Sequence, residues 1–116
     1  MDTPLRVAAL DRQSRDHLRF AQEAAPGDLT AVGAAYQAGY FALVSTLSTD
    51  EMSAFDDHPN AKAAAVAAQR LQLPLADQAL AEAGAATYYA PHADMALILD
   101  DYVGWAQRVR AAAGWA

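Results

Sequence analysis

Histidine, tyrosine and arginine are the side chains in this sequence with the chemistry to exchange protons or grip an anion. The histidines are His17, His58 and His92. Histidine is the side chain whose ordinary titration falls near neutral pH, so each is a candidate acid, base or ligand. His92 sits in the stretch GAATYYAPHAD, residues 84–94, directly after Tyr88, Tyr89 and Pro91. A proline one residue ahead of it places His92 at a predicted helix start, where unpaired backbone N–H groups favour anions. Two arrangements fit. Tyr88, Tyr89 and His92 can together contact a base and a phosphate. Alternatively, one tyrosine packs inward while the other carries its hydroxyl to water.

His58 lies in DDHPN, beside Asp56 and Asp57. A metal site needs several converging ligands. No other histidine stands within four residues of any of the three. Adjacent residues seldom chelate one ion, and this run has the composition of a turn that caps a helix. No metal and no cofactor are expected, and His58 is kept as a ligand-binding candidate. Arg12, Arg15 and Arg19 are spaced i, i+3, i+7 and share one helical face. They form either a phosphate-contacting stripe or a solvated face balanced by Asp11, Asp16 and Glu23, each four residues from an arginine. The sequence carries no Gly-rich phosphate loop, no G-x-S-x-G and no H-E-x-x-H.

The elements that must position these groups are helices. Apolar residues make up 54% of the 116 residues. Much of that content is alanine, the strongest helix former. Five segments are predicted, with no strand: residues 3–25, 29–47, 61–72, 75–89 and 92–113, plus a short helical turn at 49–55. In the second, Leu29, Val32, Tyr36, Tyr40, Leu43, Val44 and Leu47 make an apolar stripe at helical spacing. Beside it, Ala31, Ala35 and Gly39 form a row of small residues four apart, a device for close helix packing within the chain or across a dimer. In the last segment the predicted stripe is Met95, Ile98, Leu99, Tyr102, Ala106 and Val109, with Trp105 read as lying off it. An aromatic off the stripe marks an interface or is covered by another helix. Asp28, Ser48 with Glu51, and Asn60 are predicted N-caps, and Gly114 a helix stop. Short loops make consecutive long helices antiparallel neighbours. The fold class expected is all-α, an up-and-down bundle of four to five helices in one domain.

Charge narrows the partners. With 14 acidic and 8 basic residues the net charge is −6. That balance disfavours generic coating of nucleic acid. The absence of cysteine removes disulfides and thiolate chemistry. There is no signal-peptide pattern and no apolar run of membrane-spanning length. A cytoplasmic location without membrane contact is expected.

Three segments in order, AAYQAGYFALVSTLS, DHPNAKAAAVAAQRL and ATYYAPHADMALILDDYVGWAQRVR, resemble the small HEPN domains of prokaryotes. The likeness spans about residues 10 to 112. It implies a bundle of four or five helices that often dimerises. Many such domains are ribonuclease toxins; others accompany a nucleotidyltransferase or only bind. The ribonucleases carry an arginine, four to six residues, then a histidine. Upstream of His92 the corresponding residues are Thr87, Ala86 and Ala85; upstream of His58 they are Ser53, Met52 and Glu51. Only Arg12 and His17 fit the spacing, and both fall on the first helix. A five-residue step sets them ~140° apart around it. The resemblance therefore points to a non-catalytic, HEPN-like interaction or binding module, a homodimer with Ala35, Gly39 and Trp105 at its interface. The alternative is a divergent HEPN-type ribonuclease using His92 with Tyr88 or Tyr89, or a nucleotide-binding partner of a nucleotidyltransferase.

Overall fold

A helix that is apolar over most of its surface has to be largely covered, and the second helix is such a helix. A computed structural model describes residues 3–25, 28–88 and 99–115. It contains α1 (Thr3–Glu23), α2 (Leu29–Val44), α3 (Thr49–Met52), α4 (Ala61–Arg70), α5 (Leu75–Tyr88) and α6 (Leu99–Ala112), with no strand among the described residues. The helical bundle expected from the sequence is the observed architecture, with the one-turn α3 bringing the helices among the described residues to six. Helix α2 is buried well beyond a single stripe: Ala31, Val32, Ala35, Tyr36, Ala38, Tyr40, Ala42, Leu43 and Val44 are all inside. Helices α1 and α6 pack on it most extensively, and the α4–α5 hairpin closes the remaining side.

The helix ends follow local chemistry. Asp28 accepts from the Thr30 N–H at 2.9 Å, Asn60 accepts from the Lys62 and Ala63 N–H groups, and Ser48 and Glu51 form a reciprocal capping box. These bonds satisfy N–H groups that a helix start leaves open. Gln72 takes φ +54° just past α4, and the Leu73 N–H bonds back to the Ala68 carbonyl. At the end of α6, Gly114 takes φ +83° and the Trp115 N–H reaches the Arg110 carbonyl at 2.8 Å. Both are left-handed helix terminations, the second with the glycine that geometry favours.

Aromatic rings join α2 and α6 to α5. Tyr36 stacks on Trp105 with centroids 5.1 Å apart and planes 3° apart, and Tyr102 meets both rings edge-on. Their polar tips all reach carbonyls on one face of α5. The Tyr36 hydroxyl donates to Ala81, the Tyr102 hydroxyl to Leu80 and the Trp105 indole N–H to Asp77. A carbonyl has a second lone pair, so these bonds add to the α5 ladder without breaking it. Two glycines make the approach possible. A Cβ on Gly39 would lie 2.2 Å from the Trp105 ring, and one on Gly84 2.2 Å from the Tyr36 ring.

This packing corrects the expected interface. Ala35 and Trp105 are both 0% exposed and Gly39 is buried against Trp105, so all three are occupied inside the chain. Trp105 is three residues after Tyr102 and four before Val109, which puts it on the buried stripe of α6 rather than off it. The small-residue row of α2 admits an indole from the same chain.

A polar link ties α1 to α6. The Arg110 guanidinium, 4% exposed, donates to Ser14 Oγ and to Asp11 Oδ1, each at 2.8 Å. Ser14 in turn donates to the Ala38 carbonyl of α2 at 2.6 Å, and the Trp115 ring centroid lies 5.3 Å from the guanidinium carbon. Arg108 holds Asp77, at the start of α5, through both carboxylate oxygens.

Candidate functional site

Two faces of α1 do different work. Asp11, Ser14, Leu18 and Ala21 turn toward the core and α6. Arg6, Leu10 and His17 turn toward a second row on α2 made of Gln37, Phe41 and Val44. Between these rows the surface is concave. At one end, α3 and the loop after it add Thr49, Met52 and His58 and enclose a cleft of about 400 Å³. At the other end His17, Phe20, Thr30, Ala34 and Tyr88 line a shallower hollow of about 390 Å³. Gln37 borders both, and its side-chain N–H donates to the Tyr88 hydroxyl at 3.1 Å.

The α3 wall is held in place. Arg70 donates to Glu51 through both terminal nitrogens and to the Thr46 carbonyl at 3.0 Å. The Arg70 hydrogen bond, aided by the Ser48 backbone N–H, holds the Glu51 carboxyl down at about 2. Arg6 closes the cleft from α1. Its guanidinium donates to the Leu47 carbonyl at 2.9 Å and the Val44 carbonyl at 3.3 Å, just where α2 ends. A cation suits that position, because the last carbonyls of a helix lack intrahelical partners.

His58 is exposed, but its ring is tethered. Nδ1 lies 2.6 Å from the hydroxyl of buried Tyr40, which also accepts the Asn60 N–H at 3.1 Å. The His58–Pro59 peptide bond is cis and Pro59 is buried. The tether leaves Nε2 as the ring's other polar atom. Elsewhere in the core, tyrosines are poor acids. Burial is the main cause in both cases: it drives Tyr36 far above the ordinary phenol value and pushes Tyr102 up to about 12, helped there by the Asp101 charge.

The sequence candidates separate in space. His58 lines the same cleft as Arg6, a residue with no local signal linking it to a histidine 52 positions on. Arg12, Arg15 and Arg19 are exposed and none lines that cleft. Arg15 pairs with Asp11 at 3.6 Å, while Arg12–Asp16 and Arg19–Glu23 do not pair among the described residues. His17 bonds the Gln13 carbonyl through Nδ1 at 2.8 Å and meets the Phe41 ring edge-on. Tyr88 is half-buried beside Tyr36, the packed position open to one member of the tyrosine pair. Tyr89 and His92 lie outside the described residues. Among the described residues, no group of three or more His, Cys, Asp or Glu side chains is placed to hold a metal ion, and no helix is long and apolar enough to cross a membrane. Comparison with protein-family models, curated proteins and solved structures returns no match for the chain.

Proposed function

We propose that the chain is a non-catalytic, HEPN-like helical binding module, acting as a cytoplasmic homodimer. The observation that carries the reading is the division of labour among polar side chains. Tyr36, Tyr102, Trp105, Arg108 and Arg110 are committed to bonds between helices. His17 and Tyr88 are tied to neighbours, and the hydroxyl–imidazole pair that lines the larger hollow, Tyr40 with His58, is engaged structurally: the Tyr40 hydroxyl is buried and also accepts the Asn60 N–H. What stays open is a concave surface with apolar walls and a few donors, the composition of a binding site. With Ala35, Gly39 and Trp105 used internally, a dimer face has to come from the outer surface. Leu5 is 76% exposed and Phe20 is 51% exposed. Helical geometry sets these two within ~60° of each other around α1, where they supply such a face.

The test is incubation of structured and single-stranded RNA with the purified protein, with and without magnesium, beside a His92→Ala variant. Intact RNA in every lane is expected. Cleavage that disappears in the variant overturns the binding-module reading in favour of a divergent ribonuclease. Light scattering on a sizing column reports the assembly: a dimer that Phe20→Asp dissociates supports the α1 face, and a monomeric wild type removes the dimer from the proposal.

A further inference from the structure

We infer that the Arg6 cleft is a site for a carboxylate carried on a small apolar group, such as a medium-chain or aryl carboxylic acid. The inference rests on the binding-module reading and names the ligand class of its site. Three features converge. The volume is about 400 Å³. That size falls within the range of small-molecule sites. The walls contributed by Leu10, Phe41, Val44 and Met52 are apolar and would cover a hydrocarbon body. Arg6 supplies a fixed cation at the same place.

Arg6 is poised for more than a helix cap. A guanidinium has five N–H donors in a rigid fork. The carbonyls of Leu47 and Val44 take one from each terminal nitrogen, which leaves three of five without a protein partner among the described residues. The two bonds also hold the side chain still, so little rotamer freedom remains to be lost on binding. A planar fork with free donors matches a carboxylate well. His58 and the Thr49 hydroxyl add polar groups to the lining.

The charge balance selects the anion. Among the described residues Arg6 is the sole Lys or Arg lining the cleft, and Asp50, Asp56 and Asp57 stand within two residues of Thr49 or His58 in the chain. The whole molecule carries −6. A phosphate dianion would meet one fixed positive charge in an acidic neighbourhood, whereas a singly charged carboxylate is neutralised by it. Two sources present such a group: a free small carboxylic acid, and the C-terminus of a peptide ending in an apolar residue.

Titration calorimetry with octanoate and phenylacetate tests the site, against octanol and octyl phosphate. A short peptide ending in leucine, compared with its C-terminal amide, distinguishes the two sources. Saturable binding of the carboxylates is expected, with octanol and octyl phosphate each about tenfold weaker. Arg6→Gln should weaken octanoate by about the same factor. Thr49→Glu provides the second variant. The position is exposed and opens α3. An acid suits a helix start, so the fold is kept while the new charge repels the ligand. Octanol binding as tightly as octanoate, octyl phosphate binding more tightly, or octanoate affinity unchanged in Thr49→Glu overturns the proposal. Absence of carboxylate binding with RNA left intact overturns this inference alone. RNA cleavage that His92→Ala abolishes overturns the module reading whatever the calorimetry shows.

Discussion

Replacing Gly39 by alanine adds one methyl group at one of the two closest glycine contacts in the described structure, and two opposing effects can be weighed there. Glycine inside a helix costs about 1 kcal/mol relative to alanine, so backbone propensity alone predicts a gain. The new Cβ would stand 2.2, 2.7 and 2.8 Å from three atoms of the Trp105 ring. Carbon atoms rest comfortably at about 3.5–4.0 Å, so the ring or the helix must retreat by about 1 Å. Trp105 has no slack: it is fully buried, stacked on Tyr36 and hydrogen-bonded to the Asp77 carbonyl at 3.0 Å. Overpacking of this kind costs about 1–3 kcal/mol, and a ring locked on both sides belongs at the upper end. The balance is a loss of roughly 1–2 kcal/mol, or a fall of several degrees in Tm for a chain of this size. Gly33→Ala is the control in the same helix. There the added Cβ would lie 3.5 Å from the Tyr88 ring, an ordinary contact. The propensity gain of about 0.5–1 kcal/mol should therefore survive. Urea and thermal melts followed by circular dichroism measure both. Trp105→Leu should shrink the Gly39→Ala cost, because the obstacle is then removed. A Gly39→Ala protein as stable as the wild type would refute the packing argument.

Arg110→Met removes a nearly buried guanidinium from Asp11 and Ser14. A loss of about 2 kcal/mol is expected in the same melts, and adding Asp11→Asn should recover part of it. Tyr40→Phe leaves the Asn60 N–H without its acceptor and frees the His58 ring. That change should cost about 1–2 kcal/mol, with altered His58 side-chain signals in NMR spectra. Glu51 has its folded pKa depressed from 4.5 to about 2, so its contribution is present above 4.5 and is lost as pH falls through about 2. Acid titration of stability should accordingly be less steep between those values in Glu51→Gln than in the wild type; identical slopes would mean that the Arg70 pairing is not maintained in solution.

Helices and their ends are legible in the sequence because the information is local. Asp28, Ser48, Asn60 and Gly114 cap or stop helices through bonds that reach only a few residues along the chain. Tyr36, Tyr40, Leu43 and Val44 can be assigned to the core from spacing alone. Sequence reading fails where distance along the chain is large. The predicted stripe of the last helix leaves Trp105 outside it, although the residue lies between Tyr102 and Val109 on the buried side. Gly39 is recognisable as a close-packing position, but its neighbour is 66 positions away in the same chain. Arg6 carries no local signal, because its partners are the carbonyls at the end of the next helix.

By itself the sequence determined the helical class of the fold, the caps that open α2, α3 and α4 with the glycine that stops α6, and an acidic character, since propensity, capping and charge are properties of short stretches. Tertiary structure alone decided that the small-residue row of α2 receives an indole, that three aromatic tips share one face of α5, and that Arg6 and His58 border one cleft. Those facts depend on which helix faces meet. That choice is made by shape and by the satisfaction of buried polar groups across the whole chain, and no local window contains it.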